Sequence, residues 1–127
     1  MNELIARHVE NKKNCGALPC PDGYAHIKGV CGDSLEMFVY IAEEKINTVT
    51  FLVHGCDYTH ACASVLTELV LGRELFEAYE LEGAHIEDAL GGLPRDHHHC
   101  ARLAVRTFRE MLADYYTKRR APWKSIY

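Results

Sequence analysis

The chain has 127 residues, a formal net charge of −4 and a pI of about 6.0, and 48% of its residues are hydrophobic. Such a chain can bury a core of its own without disulfides, and its acidic balance argues against a nucleic-acid ligand. We therefore expect one domain over residues 1–127, with residues 119–127 as a flexible tail. The first eight residues hold an early acidic residue and no long apolar run. We expect neither a signal peptide nor a membrane span, and we place the protein in the cytoplasm.

Apolar periodicity predicts the secondary-structure elements in chain order. A short amphipathic helix is expected first, followed by a loop rich in proline and glycine. Three strands come next, the last two forming an antiparallel hairpin, and the rest of the chain is helical with stops at glycines. The predicted helix and strands cover residues 3–10, 24–30, 35–41 and 49–54. The later helices cover residues 59–71, 74–81, 85–90 and 98–118.

Positive charge is concentrated near the C-terminus. From His97 onward the chain carries about +5, and the remainder carries about −9. Two interpretations stay open, namely a solvated helix face and a docking surface for an acidic protein partner. The basic residues of this part are Arg102, Arg106, Arg109, Lys118, Arg119, Arg120 and Lys124.

Three of the six cysteines lie next to the predicted end of an element. Cys31 lies in the turn after the first strand, Cys56 at a strand-to-helix junction and Cys100 in the first turn of the last helix. At a helix start the unpaired N–H groups and the helix dipole favour an anion, so a thiolate at Cys56 is easier to form. The separations of 25 and 44 residues are too wide for a zinc finger. A shared site can only be assembled by tertiary folding.

Each of these cysteines has a polar neighbour, namely Asp33, His54 or His99. Thiolates together with imidazole or carboxylate groups suit zinc and iron-sulfur clusters, especially in a reducing compartment where disulfides are rare. A thiol enzyme that uses Cys100 with His99 and Asp33 is one alternative. A stable zinc-binding interaction or sulfur-acceptor module is another, and three unrelated buried thiols are a third. His54 alternates away from the core, so we expect it to be exposed rather than a direct ligand.

The remaining cysteines and histidines have simpler interpretations. Cys15 and Cys20 lie on the loop without a second pair at finger spacing, so we interpret them as isolated thiols. Cys62 falls on an apolar helix face and is expected in the core. His97 and His98 could extend a metal site, but neighbours at a helix start point in different directions, so at least one should face solvent.

The residues at these positions are similar to those of a known family. The chain resembles the iron-sulfur cluster assembly scaffolds of the IscU and NifU N-terminal type over about residues 8–118, in the family's order. The resemblance implies an α+β fold in which a small three-stranded antiparallel sheet packs against about four to five helices, with the metal site at one exposed end. The motifs that carry it are Val30-Cys31-Gly32-Asp33, His54-Gly55-Cys56, Ser64, Thr67-Glu68, Gly72-Arg73-Glu74-Leu75, Leu93-Pro94 and His99-Cys100.

The resemblance also implies a function. A scaffold of this kind is not an enzyme: it builds a transient 2Fe-2S cluster from the sulfur of a cysteine desulfurase and the iron of an iron donor, and it passes the cluster to apo iron-sulfur acceptor proteins. Cys31, Cys56 and Cys100 would be cluster ligands, Asp33 and His99 the candidates for the fourth position, and Cys100 the persulfide acceptor. An oxygen or nitrogen ligand holds a cluster less tightly than a fourth thiolate, which favours release. Zinc could occupy the same ligands in the cluster-free form, and we expect a monomer or weak homodimer.

The sequence departs from the family pattern in ways that narrow these expectations. The IscU branch has a Leu-Pro-Pro-Val-Lys segment that an Hsp70-type chaperone recognises, whereas this chain has Leu93-Pro94-Arg95-Asp96-His97. Chaperone-assisted release is therefore not expected. The insert of the zinc-dependent SufU branch ahead of the last cysteine is missing, which argues against that branch. We also expect the scaffold domain alone, without the further modules of full-length NifU.

Overall fold

The computed structural model describes residues 2–10 and 13–120, with the backbone only at residue 120. It confirms the expected α+β architecture of one antiparallel sheet and five α-helices. The elements are α1 (Glu3–Glu10), β1 (Gly23–Lys28), β2 (Ser34–Ala42), β3 (Lys45–His54), α2 (Asp57–Val70), α3 (Leu75–Tyr79), α4 (Gly83–Ala89), a 3-10 turn (Arg95–His97) and α5 (His98–Arg120). No helix among them is long and apolar enough to cross a membrane.

The sheet has the order β1-β2-β3, with both pairs antiparallel. Strand residues alternate between two faces, so the apolar alternation of β2 places Leu35, Met37 and Val39 on one face. All three side chains are fully buried, which confirms that this face meets the helices. On the other face Tyr24 of β1 packs against Phe38 of β2, with ring centroids 5.1 Å apart.

β3 begins at Lys45, earlier than the alternation predicts. The pairing steps from Tyr40 opposite Thr48 to Ile41 opposite Ile46, so one residue of β3 is left over as a β-bulge. The bulge reverses the alternation and turns Ile46 toward the core, where it is 1% exposed. A strict period of two over the sequence cannot reveal a strand that contains this shift.

The hairpin turns at Glu43 and Glu44, whose φ angles of 55° and 60° lie in the left-handed region. A two-residue loop with both residues at positive φ matches the twist of the strands it joins. The Leu75 N–H donates to the Glu44 carbonyl over 3.0 Å, and the Arg119 guanidinium pairs with the Glu44 carboxylate. The hairpin tip is thus tied to both α3 and α5.

Helix α5 lies across β1 and β2 and supplies the largest part of the helical core. The sequence predicts one apolar stripe on this helix, made of Cys100, Ala104, Phe108, Met111 and Tyr115. The first four are fully buried, and Tyr115 is partly buried against the core. The helix continues two residues past its predicted end at residue 118. The rest of the predicted tail, residues 121–127, lies outside the described residues.

Candidate metal centre

Cys56 lies at the junction between β3 and α2, as its sequence context predicts. β3 ends at His54 and α2 begins at Asp57. Cys56 occupies the N-cap position with extended backbone angles, φ −82° and ψ 163°, and its side chain makes no capping hydrogen bond. The thiol therefore remains available at the positive end of a 14-residue helix.

Cys100 meets Cys56 across 44 residues of sequence. It lies in the first turn of α5 and is fully buried, and its Sγ atom is 3.9 Å from Cys56 Sγ. Burial raises the pKa of the Cys100 thiol to about 12; the contact with Thr59 opposes this shift, and the nearby Cys56 and Asp33 add to it. Cys100 is therefore a neutral thiol at pH 7 unless a cation compensates its charge.

Asp33 is held against the start of α2. Its Oδ2 atom accepts hydrogen bonds from the Cys56 N–H at 3.2 Å and from the Thr59 hydroxyl at 2.8 Å. Burial raises the pKa of this carboxyl group, but the hydrogen bonds from Cys56 and Thr59 outweigh it and hold the pKa below its ordinary value. Asp33 is thus an ionised carboxylate beside the two thiols.

Thr59 contacts the candidate site but is not among the residues that the sequence predicts for it. It is fully buried, donates to Asp33 and lies 3.5 Å from Cys56 Sγ through the same hydroxyl oxygen. No local signal in the sequence singles out Thr59, because its link to Asp33 depends on tertiary contacts.

Two imidazoles complete the group around Cys100. His99 Nε2 lies 3.7 Å and His97 Nδ1 3.9 Å from Cys100 Sγ. The ligand atoms of Cys56, His97 and Cys100 all lie within 4.8 Å of one another. The His97 ring stacks on Tyr58, with centroids 4.0 Å apart and planes 23° from parallel, so its orientation is fixed by packing.

The neighbouring His98 points away from this group. Its Nδ1 atom lies 3.1 Å from a carboxylate oxygen of Glu87, and its side chain is about half exposed. This divergence of His97 and His98 agrees with the expectation that adjacent histidines face different ways. The sequence does not reveal which of the two turns inward, because the 3-10 turn before α5 sets that choice.

Cys31 lies apart from the group formed by Cys56, His97 and Cys100. It is exposed on the β1–β2 loop, which is closed by a hydrogen bond from the Gly29 N–H to the Asp33 carbonyl at 2.7 Å. Asp33, two residues further on, is the only predicted ligand of this loop that contacts the group. Cys31 therefore stays a predicted ligand.

The donor set suits a thiophilic metal. Two thiols, two imidazoles and one carboxylate converge at one end of the fold, and sulfur and nitrogen donors of this kind bind zinc or iron-sulfur clusters.

Residues 1–122 match the family described as the NifU-like N terminal domain. The chain belongs to this family.

Curated relatives of this NifU-like domain cover nearly its whole length. It is 31% identical over 118 residues to an iron-sulfur cluster assembly scaffold protein IscU of Archaeoglobus fulgidus, covering 92% of this chain and 77% of the relative. It is 31% identical over 125 residues to the protein of the same name in Escherichia coli K12, covering 94% and 97%.

A solved structure shares the fold. It is described as a candidate iron-sulfur cluster assembly scaffold protein for the SUF system from Fervidobacterium islandicum. It superposes on this NifU-like domain with a TM-score of 0.75 at 21% identity, and the match covers 88% of this chain and 96% of the other. At this identity the likeness establishes the fold alone.

The remaining cysteines of the NifU-like domain behave as predicted. Cys62 is fully buried, and burial raises the pKa of its thiol further than that of Cys100. Cys15 and Cys20 are free and exposed. His54 is exposed as well and lies 3.2 Å from a Glu36 carboxylate oxygen rather than near a thiol.

Proposed function

We propose that this NifU-like domain is a scaffold on which an iron-sulfur cluster is assembled and from which it is passed to acceptor proteins. One observation carries the proposal, namely the 3.9 Å approach of Cys56 Sγ and Cys100 Sγ beside the Asp33 carboxylate. Relatives at 31% identity bear the name of cluster assembly scaffolds, which supports the same role. The cluster is cargo, so the protein binds and releases it rather than turning over a substrate.

The cargo we propose is a transient 2Fe-2S cluster. Cys31, Cys56 and Cys100 supply thiolates, and Asp33 or His99 takes the fourth position. An oxygen or nitrogen donor in that position leaves the cluster more loosely held than four thiolates would, because iron-sulfur clusters prefer thiolate ligands. The position of His97, with Nδ1 3.9 Å from Cys100 Sγ, makes it a further candidate. Zinc fits the same donors when no cluster is bound.

Sulfur comes from a cysteine desulfurase in this proposal, and Cys100 receives it. The Cys100 thiol gives up its proton and its sulfur attacks the outer sulfur of the donor's persulfide; the donor's sulfur–sulfur bond breaks, and the donor leaves as a thiolate that takes up the proton. Because Cys100 is fully buried, this step requires the first turn of α5 or the facing β1–β2 loop to move. Iron from a donor and apo-acceptors in the cytoplasm complete the proposed cycle.

Anaerobic reconstitution tests the proposed function. The protein is incubated with a cysteine desulfurase, cysteine and ferrous iron, and visible absorption is followed before and after addition of apo-ferredoxin. We expect sulfide-to-iron charge-transfer absorption that moves to the acceptor. A colourless protein that holds zinc tightly would instead identify a stable zinc-binding module.

Single substitutions test the ligand set. Cys31→Ser, Cys56→Ser and Cys100→Ser should each abolish assembly, whereas the exposed thiols provide matched controls, Cys15→Ser and Cys20→Ser, that should not. Full assembly in one of the first three variants would remove that residue from the site.

Asp33→Ala tests the role of the carboxylate. If Asp33 makes the cluster labile, the variant should keep its cluster longer and transfer it more slowly. The measurement is the half-time of cluster transfer to apo-ferredoxin. Failure of the variant to hold any cluster would make Asp33 a required ligand rather than a release device.

A further inference from the structure

The basic C-terminal part of the chain divides into neutralised and unneutralised residues. Arg109 donates to the Leu81 carbonyl at 2.9 Å and lies over the Tyr79 ring, 5.4 Å from its centroid. Lys118 pairs with Asp114 at 3.1 Å, and Arg119 pairs with a carboxylate of the β2–β3 turn. These charges are used within the fold and offer little to a partner.

Arg102 and Arg106, unlike these residues, carry charges that the described part of the fold leaves unpaired. They lie four residues apart on one face of α5, both are exposed, and neither makes a hydrogen bond or ion pair with any residue that the structure describes. Both line a cleft of about 260 Å³ between α5 and the β1–β2 loop. In a protein of net charge −4, this cleft concentrates unpaired positive charge.

The same cleft has an apolar part. The Val30 side chain is fully exposed at its rim, and the 5% exposed Leu103 lies beneath, 3.3 Å from the place where a Cβ on Gly29 would stand. Contact of Val30 with an apolar partner group would remove its side chain from water, which is favourable.

The cleft also adjoins the metal centre. His99 lines the cleft, and its Nε2 atom lies 3.7 Å from Cys100 Sγ. A group seated between Arg102 and Val30 is therefore separated from the buried thiol by one imidazole ring.

We propose that this cleft binds an acidic segment of a partner protein, with carboxylates on Arg102 and Arg106 and an apolar side chain on Val30. Guanidinium groups bind carboxylates in a bidentate manner, and two of them at helical spacing favour a peptide with more than one carboxylate. The exposed valine favours a peptide over a nucleic acid, and the overall negative charge repels long polyanions. That this partner exchanges sulfur or cluster with Cys100 rests on the proposed function, whereas the charge-selective binding does not.

The test uses the full-length protein and a fluorescein-labelled peptide in which leucine is flanked by aspartates and glutamates. Its control is the same peptide with asparagines and glutamines. We expect the acidic peptide to bind, with an affinity that falls as the salt concentration rises. Its binding should shift the amide resonances of Gly29, Val30 and His99. Arg102→Gln combined with Arg106→Gln should weaken binding about tenfold, as expected for two exposed charge-assisted contacts.

A matched variant removes two positive charges elsewhere, Arg7→Gln with Arg73→Gln, and should leave peptide affinity unchanged. Equal affinity of the neutral peptide, equal weakening in the matched variant, or resonance shifts confined to other surfaces would each overturn the proposal. Binding of free succinate as tight as that of the peptide would assign the cleft to small carboxylates instead.

Reconstitution of the Arg102 and Arg106 double variant with inorganic sulfide and ferrous iron separates this inference from the proposed function. Normal cluster formation is expected because neither arginine contacts the thiols. If the double variant loses peptide binding but forms a normal cluster, the docking cleft is supported. If the unaltered protein forms no cluster, that result counts only against the scaffold role.

Discussion

Gly55 provides the sharpest test of how the fold positions Asp33. A Cβ atom at residue 55 would lie 2.7 Å from Asp33 Cβ and would overlap its carboxyl group. The backbone of Gly55 is not in the left-handed region, so alanine is excluded by this close approach and not by its own conformation. Gly55→Ala should therefore displace Asp33 from the start of α2.

The expected loss follows from the contacts that Asp33 would give up. The carboxylate accepts hydrogen bonds from the Cys56 N–H at 3.2 Å and the Thr59 hydroxyl at 2.8 Å. Bonds to a charged acceptor contribute about 1.5–3 kcal/mol each when well shielded, and the partial exposure of Asp33 reduces this. We expect Gly55→Ala to lower the free energy of unfolding by about 2–3 kcal/mol.

Urea denaturation at pH 7 measures this loss, with Gly83→Ala as the matched control. A Cβ at Gly83 would meet Ala101 Cβ at 3.7 Å, an ordinary contact, so that variant should be neutral or slightly more stable. Repeating Gly55→Ala in an Asp33→Gly background should at least halve its effect, because both the Cβ atom and the carboxyl group that the new methyl group overlaps are gone. An equal loss in both backgrounds, or no loss at all, would refute the reasoning.

Three further predictions concern separate parts of the molecule. Burial and the hydrogen bond to Glu36 raise the pKa of Tyr24 from 10.0 to about 12, so the stabilisation from this phenol is present below pH 10 and lost as the pH rises toward 12. In urea denaturation, the free energy of unfolding of Tyr24→Phe should therefore fall less steeply over this pH range than that of the unaltered protein. Equal falls in the two proteins would contradict this. Cys62→Ala should lower the free energy of unfolding by about 1 kcal/mol and leave cluster reconstitution unchanged, since the thiol is core packing. His97→Ala should weaken zinc binding about tenfold or more in a chelator competition, with His98→Ala as the unaffected control.

The sequence predicts the elements well because their signals are local. The alternation of Leu35, Met37 and Val39 and the α5 stripe depend only on which side chains recur on one face, and both are confirmed. The bulge that buries Ile46 is invisible to the same logic, since it arises from the pairing of two strands. Local periodicity therefore predicts where elements lie, and strand pairing decides which residues they bury.

The candidate site is predictable to the extent that its residues lie at element ends. Cys56 and Cys100 meet as the sequence analysis expects, but the inward turn of His97 and the support from Thr59 depend on contacts between distant segments. The charge run near the C-terminus is likewise resolved only by its partners, because Glu44 of the hairpin turn neutralises Arg119, whereas Lys118 pairs with Asp114 of the same helix.

The short distance between Cys56 and Cys100 also makes the centre sensitive to oxidation. Their sulfur atoms are 3.9 Å apart, and loss of two electrons to dioxygen or a small disulfide would join them after a movement of about 2 Å. One such bond consumes two thiols at once and staples the start of α2 to the start of α5. Protein handled in air would then stay folded, lose its capacity for iron and sulfide, and recover it when a dithiol reductant reopens the bond.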